Sequence, residues 1–274
     1  MTPRAARAVR HFGLAGFALV ASVIWGAAWL FVAGVPAAYP VVNLAALAIG
    51  LAGAFAVRRL PMTAGLVAAP ALAALALWLG PSIEGVERWI AVGDVRLHAV
   101  MLVGPAFAVA AQRIGGWVSL LAVAALASAI ALQPDFGAAI ALAGAMTAAA
   151  AVRRDGPAIG ALACSAAAVI ATANPSGDIA PAPFVENVAQ TIVARGDAVS
   201  LVALALLGFS ALAPALRRCE RDTGGAALAG WTAGLVSASL IGPYPAPFVG
   251  YGAAPILGYA FAAGWIRTRA RGRV

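Results

Sequence analysis

The chain has 274 residues, of which 63% are apolar and 10% charged, and its mean hydropathy is +0.94. A soluble domain carries about a quarter charged residues and could not hide so much apolar surface, so a water-soluble globule is excluded. The formal net charge is +8, but the basic residues are all arginines in short clusters beside apolar runs and form no single stripe, which argues against nucleic acid as a partner.

The apolar runs are about 15–22 residues long, the length that crosses a hydrocarbon layer at ~1.5 Å per residue. They predict an all-α polytopic membrane protein with about ten transmembrane helices, near 13–35, 41–57, 62–80, 98–112, 115–132, 136–152, 157–173, 198–216, 224–242 and 248–266. The first run follows Arg4, Arg7 and Arg10 and is too long for the core of a cleaved signal peptide, so it reads as a span. With alternating sides, 15 arginines fall on the side of the termini, and only Arg88, Arg96 and Arg195 fall on the other. That split predicts both termini cytoplasmic. Seven of the ten acids, Glu84, Glu87, Asp94, Asp135, Asp178, Glu186 and Asp197, fall on the outer side. They point to chemistry that faces outward, or else only solubilise the outer loops.

Two outer loops are long, roughly 81–97 and 174–197, and the other connections are turns. Pro36, Pro40, Pro134, Pro243, Pro245 and Pro247 mark outer span ends, where a missing N–H costs least. Alanine and glycine fill the spans, either for close helix approach or from a compositional bias. Residues 1–274 read as a single integral membrane domain without an internal repeat. Cys164 lies in an apolar run and Cys219 in an arginine-rich loop, so no disulfide is expected. No His/Cys cluster is present, and no metal or cofactor is expected.

Three outer segments carry polar side chains at the apolar boundary. The first runs Gly85-Val86-Glu87-Arg88-Trp89-Ile90-Ala91-Val92-Gly93. Its tryptophan suits the headgroup layer and its arginine can meet a phosphate. The second is Gln133-Pro134-Asp135-Phe136-Gly137. Asp135 sits where a lone carboxylate is costly, so it reads first as the partner of an arginine or a backbone N–H. The third is Pro245-Ala246-Pro247-Phe248-Val249-Gly250-Tyr251-Gly252-Ala253-Ala254, which reads as a broken helix start lining a cavity. His98 reads as a residue at a helix start rather than a proton shuttle.

In this order and at these loops, the three segments resemble the SEDS proteins (shape, elongation, division and sporulation), the FtsW/RodA group. The likeness covers roughly 81–266. That family has ten spans, a G-x-R-R-W-I-x-x-G segment after span three, Q-P-D-x-G-T between spans five and six, and P-F-x-S-Y-G-G-S before span ten. The resemblance implies a multi-pass protein of the plasma (inner) membrane, acting in peptidoglycan synthesis, cell shape or cell division. It would bind a lipid II-like disaccharide pyrophosphate at the outer face and polymerise it. Its implied partners are that precursor, membrane lipids and a class B penicillin-binding protein. Arg88, Trp89, Arg96, Gln133, Phe248 and Tyr251 are the implied substrate-binding residues. Glu186, Asp135 and Asn187 are the catalytic candidates.

The departures from the family pattern leave alternatives open. A Gln-Pro-Ser-Glu segment of the family is His98-Ala99-Val100-Met101 here, so its glutamate is missing. Ala138 stands for the threonine, and Gly250 and Ala254 for serines. Asn187 falls under the family's catalytic aspartate, and an amide oxygen is far too weakly basic to act as a general base. Glu186, one residue away, takes that role if the loop shifts. The alternatives are a non-catalytic relative that recruits or regulates a wall synthase, and a flippase for the lipid-linked precursor.

Overall fold

The computed structural model describes residues 3–93, 95–173, 184–216 and 224–266, with side chains from residue 13 onward. Cys219 and the first part of the second long loop lie outside the described residues. The chain order is α1 (Pro3–Val32), α2 (Ala38–Val57), α3 (Met62–Leu79), β1 (Trp89–Val92), β2 (Val95–His98), α4 (Ala99–Ile114), α5 (Gly116–Leu132), α6 (Phe136–Arg153), α7 (Gly156–Thr172), α8 (Val188–Arg195), α9 (Ala198–Leu212), α10 (Gly224–Ile241) and α11 (Ala253–Ile266). Gly13, at φ 62° and ψ −167°, breaks α1, so its apolar part is Gly13–Val32. Among the described residues, five helices are long and apolar enough to cross a membrane, and α4, α5, α7, α9 and α11 are shorter apolar helices. Each of these ten matches a predicted span. Burial is all-round on α4, whose residues 104–112 are hidden, while α2 and α3 turn much of their surface outward. An apolar surface of that kind belongs in lipid.

Small residues set the packing. Gly144 on α6 and Gly230 on α10 bring their backbones together, and Gly234 lies against Ile140 and Ala141. Gly258 on α11 meets the carbonyls of Met101 and Leu102 on α4, and Gly104 receives the ring of Trp231. Lipid supplies no hydrophobic drive between helices, so such close approach and internal hydrogen bonds must hold the bundle. Ser22 bonds Ser210 at 2.7 Å, and Tyr259 donates to the Ser210 carbonyl at 3.0 Å.

The two ends of the bundle differ. At one end Arg113 donates to the carbonyls of Trp265 and Ile266, which close α11, and Arg153 donates to the Gln112 carbonyl. The Trp265 indole donates to Val57 beside Arg58. The arginine-rich turns thus meet at one end, and Arg88 and Arg96 lie at the other, as the alternation of charge predicts.

Two elements were not anticipated. The first long loop contains an antiparallel hairpin, with Trp89 opposite His98 and Ala91 opposite Arg96. Its first strand is apolar throughout and its second alternates apolar and polar residues, and Gly93, at φ 59°, suits a tight turn. The second long loop contains α8, an amphipathic helix of about two turns that buries Val188, Ala189 and Ile192. The predicted tenth span also starts too early. Residues 248–252 are irregular and α11 begins at Ala253. Phe248 stands at φ 69°, and Asn43 takes the Gly250 carbonyl and the Gly252 N–H, which holds that stretch out of the helix.

Candidate functional site

A cavity of about 450 Å³ opens at the loop-rich end. Five separate stretches line it: residues 83–89, the second hairpin strand, the Pro134–Asp135 corner, Val185–Glu186, and the irregular chain from Pro243 to Pro255. Its chemistry is mixed. Arg88, Arg96 and His98 face it with Glu84, Asp135 and Glu186, beside Trp89, Tyr244 and Tyr251.

The hairpin register explains how Arg88 and His98 come together. Trp89 pairs with His98, and the Ala99 amide donates to the Arg88 carbonyl at 3.0 Å. Arg88 therefore sits across the hairpin mouth from His98, with its guanidinium 4.8 Å from the Trp89 ring centroid. Asp135 arrives from another element as the N-cap of α6, where its Oδ1 accepts from Ala138 N–H at 3.1 Å. The same Oδ1 lies 3.7 Å from Arg88 Nη1, and Oδ2 lies 2.9 Å from His98 Nε2. The Asp135 side chain is 1% exposed. Burial works against its charge, but His98, Arg88 and the Ala138 amide outweigh it and hold the carboxyl well below the usual range.

The opposite wall is clamped by Asn43 on α2. Its amide donates to the Gly250 carbonyl at 2.9 Å and its oxygen accepts from Gly252 N–H at 3.1 Å. Tyr39 stacks on Tyr251 at 4.1 Å, and the Tyr251 amide donates to the Phe184 carbonyl at 2.7 Å. That last bond ties the second long loop to the irregular chain and brings Glu186 to the cavity. Among the described residues, four of the five non-glycine residues with positive φ, Glu84, Phe184, Asn187 and Phe248, belong to the segments around the cavity. Backbone held in that region costs about 1–3 kcal/mol per residue and persists where the surroundings force it.

Of the sequence-derived candidates, Arg88, Trp89, Arg96, Asp135, Glu186 and Tyr251 line the cavity. Gln133 does not. It is fully buried, and its amide donates to the Ala73 carbonyl at 2.8 Å. Phe248 is buried against Tyr259, with ring centroids 5.1 Å apart. Asn187 occupies the left-handed cap position of α8, outside the cavity lining. Asn43 and Tyr244 were missed. Asn43 left a signal, since it is a lone amide within an apolar run. His98 is the N-cap of α4, accepting from Met101 N–H at 3.3 Å as a helix-start residue should, but it also reaches Asp135. Among the described residues no cluster of metal-ligating side chains occurs.

Fold and site together define a multi-pass membrane protein with a polar cavity at one end of its bundle. No family model and no curated protein matches the chain. Solved structures do. An aspartate-to-alanine variant of the rod shape determining protein RodA of Thermus thermophilus superposes with a TM-score of 0.67 at 20% identity, covering 93% of this chain and 95% of that one. RodA itself gives a TM-score of 0.64 at 19% identity, covering 93% and 94%. A chain from a study of polymerization and crosslinking by a peptidoglycan synthase complex gives 0.59 at 21%, covering 93% and 98%. The chain has a RodA-like fold over nearly its whole length.

Proposed function

We propose that this protein works in peptidoglycan synthesis in the plasma membrane, binding a polyprenyl-pyrophosphate-linked disaccharide such as lipid II in the cavity. The observation that carries this reading is the meeting of Arg88, Arg96 and Glu186 in one cavity at the loop-rich end of a RodA-like bundle. With both termini cytoplasmic, that end faces outward. Arg88 and Arg96 would bind the pyrophosphate, and the exposed apolar helices would pass its chain to lipid. In polymerisation the acceptor 4-hydroxyl attacks the donor's anomeric carbon, and the bond to the pyrophosphate breaks. The hydroxyl proton goes to a carboxylate and the polyprenyl pyrophosphate leaves as an anion held by arginine.

Asp135 is a poor base for this step, because both of its oxygens face cations or donors that favour its charged, weakly basic form. Glu186 is the base we assign. Purified protein supplied with lipid II should polymerise it, and Glu186→Gln should slow the reaction by at least ~100-fold, the usual contribution of a general base. Equal rates for the two proteins would refute the assignment. The placement of Asn187 favours a second reading, a non-catalytic relative that recruits a class B penicillin-binding protein. That reading predicts co-purification with such a synthase and no polymer from wild type.

A further inference from the structure

Asp135 has two carboxylate oxygens, and they face different partners. Oδ1 takes the Ala138 amide and lies 3.7 Å from Arg88 Nη1, beyond hydrogen-bond range. Oδ2 faces His98 Nε2 at 2.9 Å. Among the described residues, neither atom has another partner within hydrogen-bond distance. The far side of the imidazole fixes its tautomer. Nδ1 accepts from Met101 N–H, so Nδ1 carries no proton and the ring proton sits on Nε2, the edge turned to Asp135. Meanwhile Arg88 Nε has no hydrogen-bond partner among the described residues. A carboxylate and a guanidinium this close and this buried would otherwise close into a two-bond fork.

We propose that His98 is a positioning residue: by occupying Asp135 Oδ2 it prevents a bidentate Asp135–Arg88 pair and leaves guanidinium N–H groups of Arg88 for the oxygens of an anionic ligand. The role of that ligand rests on the pyrophosphate reading above. His98 meets Asp135 from the hairpin–α4 junction, Arg88 stands before the hairpin, and Trp89 packs edge-on to the imidazole at 6.3 Å.

The test uses the full chain in detergent and two readouts. One is binding of farnesyl pyrophosphate, a short polyprenyl pyrophosphate. The other is the rate at which phenylglyoxal modifies Arg88 relative to Arg96, read by mass spectrometry, which needs no ligand. His98→Asn keeps an acceptor for the Met101 amide but is too short to reach Asp135. It should slow Arg88 modification severalfold against Arg96 and weaken binding by about tenfold, one charge-assisted contact. His98→Gln restores reach and a donor, and should stay within about twofold of wild type on both. Adding Asp135→Asn to His98→Asn removes the competing carboxylate and should restore Arg88 modification. A purely structural role for His98 would lower the melting temperature and leave the Arg88-to-Arg96 ratio unchanged, which overturns the proposal. If wild type binds no farnesyl pyrophosphate while His98→Asn still slows Arg88, the positioning role stands and the ligand reading falls.

Discussion

At the residue scale, Asp135 concentrates the physics of the site. Its carboxylate is buried, caps a helix and faces Arg88 and His98. Because its folded pKa lies below the ordinary value of 3.8, its stabilising effect is complete above that value and is lost as pH falls through the depressed one. Asp135→Asn keeps the shape and leaves Arg88 without its counter-charge. It should cost about 3 kcal/mol near neutral pH, as breaking a buried pair does. Melting curves in detergent from neutral to pH 2 should show the gap to wild type narrowing below about pH 4, where the carboxyl of the unfolded chain takes up a proton, and closing near pH 2, where the folded one does. A gap that stays constant with pH would remove the charged carboxylate from the account. The Gln-Pro-Asp corner was legible in the sequence as a cap with a partner. That His98 would be one of its partners was not, because the two residues lie on different elements and pair only through the hairpin.

At the element scale, α6 and α10 touch backbone to backbone. A Cβ on Gly230 would run into the Gly144 carbonyl, whereas one on Gly208 would meet open space. Gly230→Ala should therefore separate the helices and cost about 1–3 kcal/mol. Gly208→Ala, on α9, should be neutral or slightly stabilising, since alanine is the better helix former. Equal melting temperatures for the two variants would show that the α6–α10 contact is not tight. Many small residues are visible in the sequence, but a packing glycine does not differ there from a compositional one, because the partner backbone is not a local feature. The hairpin and α8 were missed for a related reason. Each is short, and attention to 20-residue runs hides two four-residue strands and a two-turn amphipathic helix.

At the scale of the whole molecule, the arginine split divides the bundle into two ends, and the cavity lies at the arginine-poor end. On the positive-inside rule the cavity is expected to face outside the cell, which labelling tests. With Cys164 and Cys219 first replaced by serine, Ser82→Cys and Ala194→Cys should react with an impermeant maleimide on intact cells. Arg59→Cys should react only after permeabilisation. The reverse pattern would put the cavity in the cytosol and remove an outward-facing polymerase from consideration.

The ten spans and the end-to-end asymmetry of charge were set by the amino-acid sequence alone. A backbone in lipid must satisfy its own hydrogen bonds within each helix, so a span is a local property that hydropathy and flanking arginines reveal. The cavity was decided by tertiary structure. Five stretches far apart in the chain converge there, and whether Arg88 meets Asp135, or Gln133 turns to the Ala73 carbonyl instead, depends on which helices lie side by side. Those pairings are made by packing and by Asn43 clamping the chain before α11, interactions between residues that no spacing along the sequence connects.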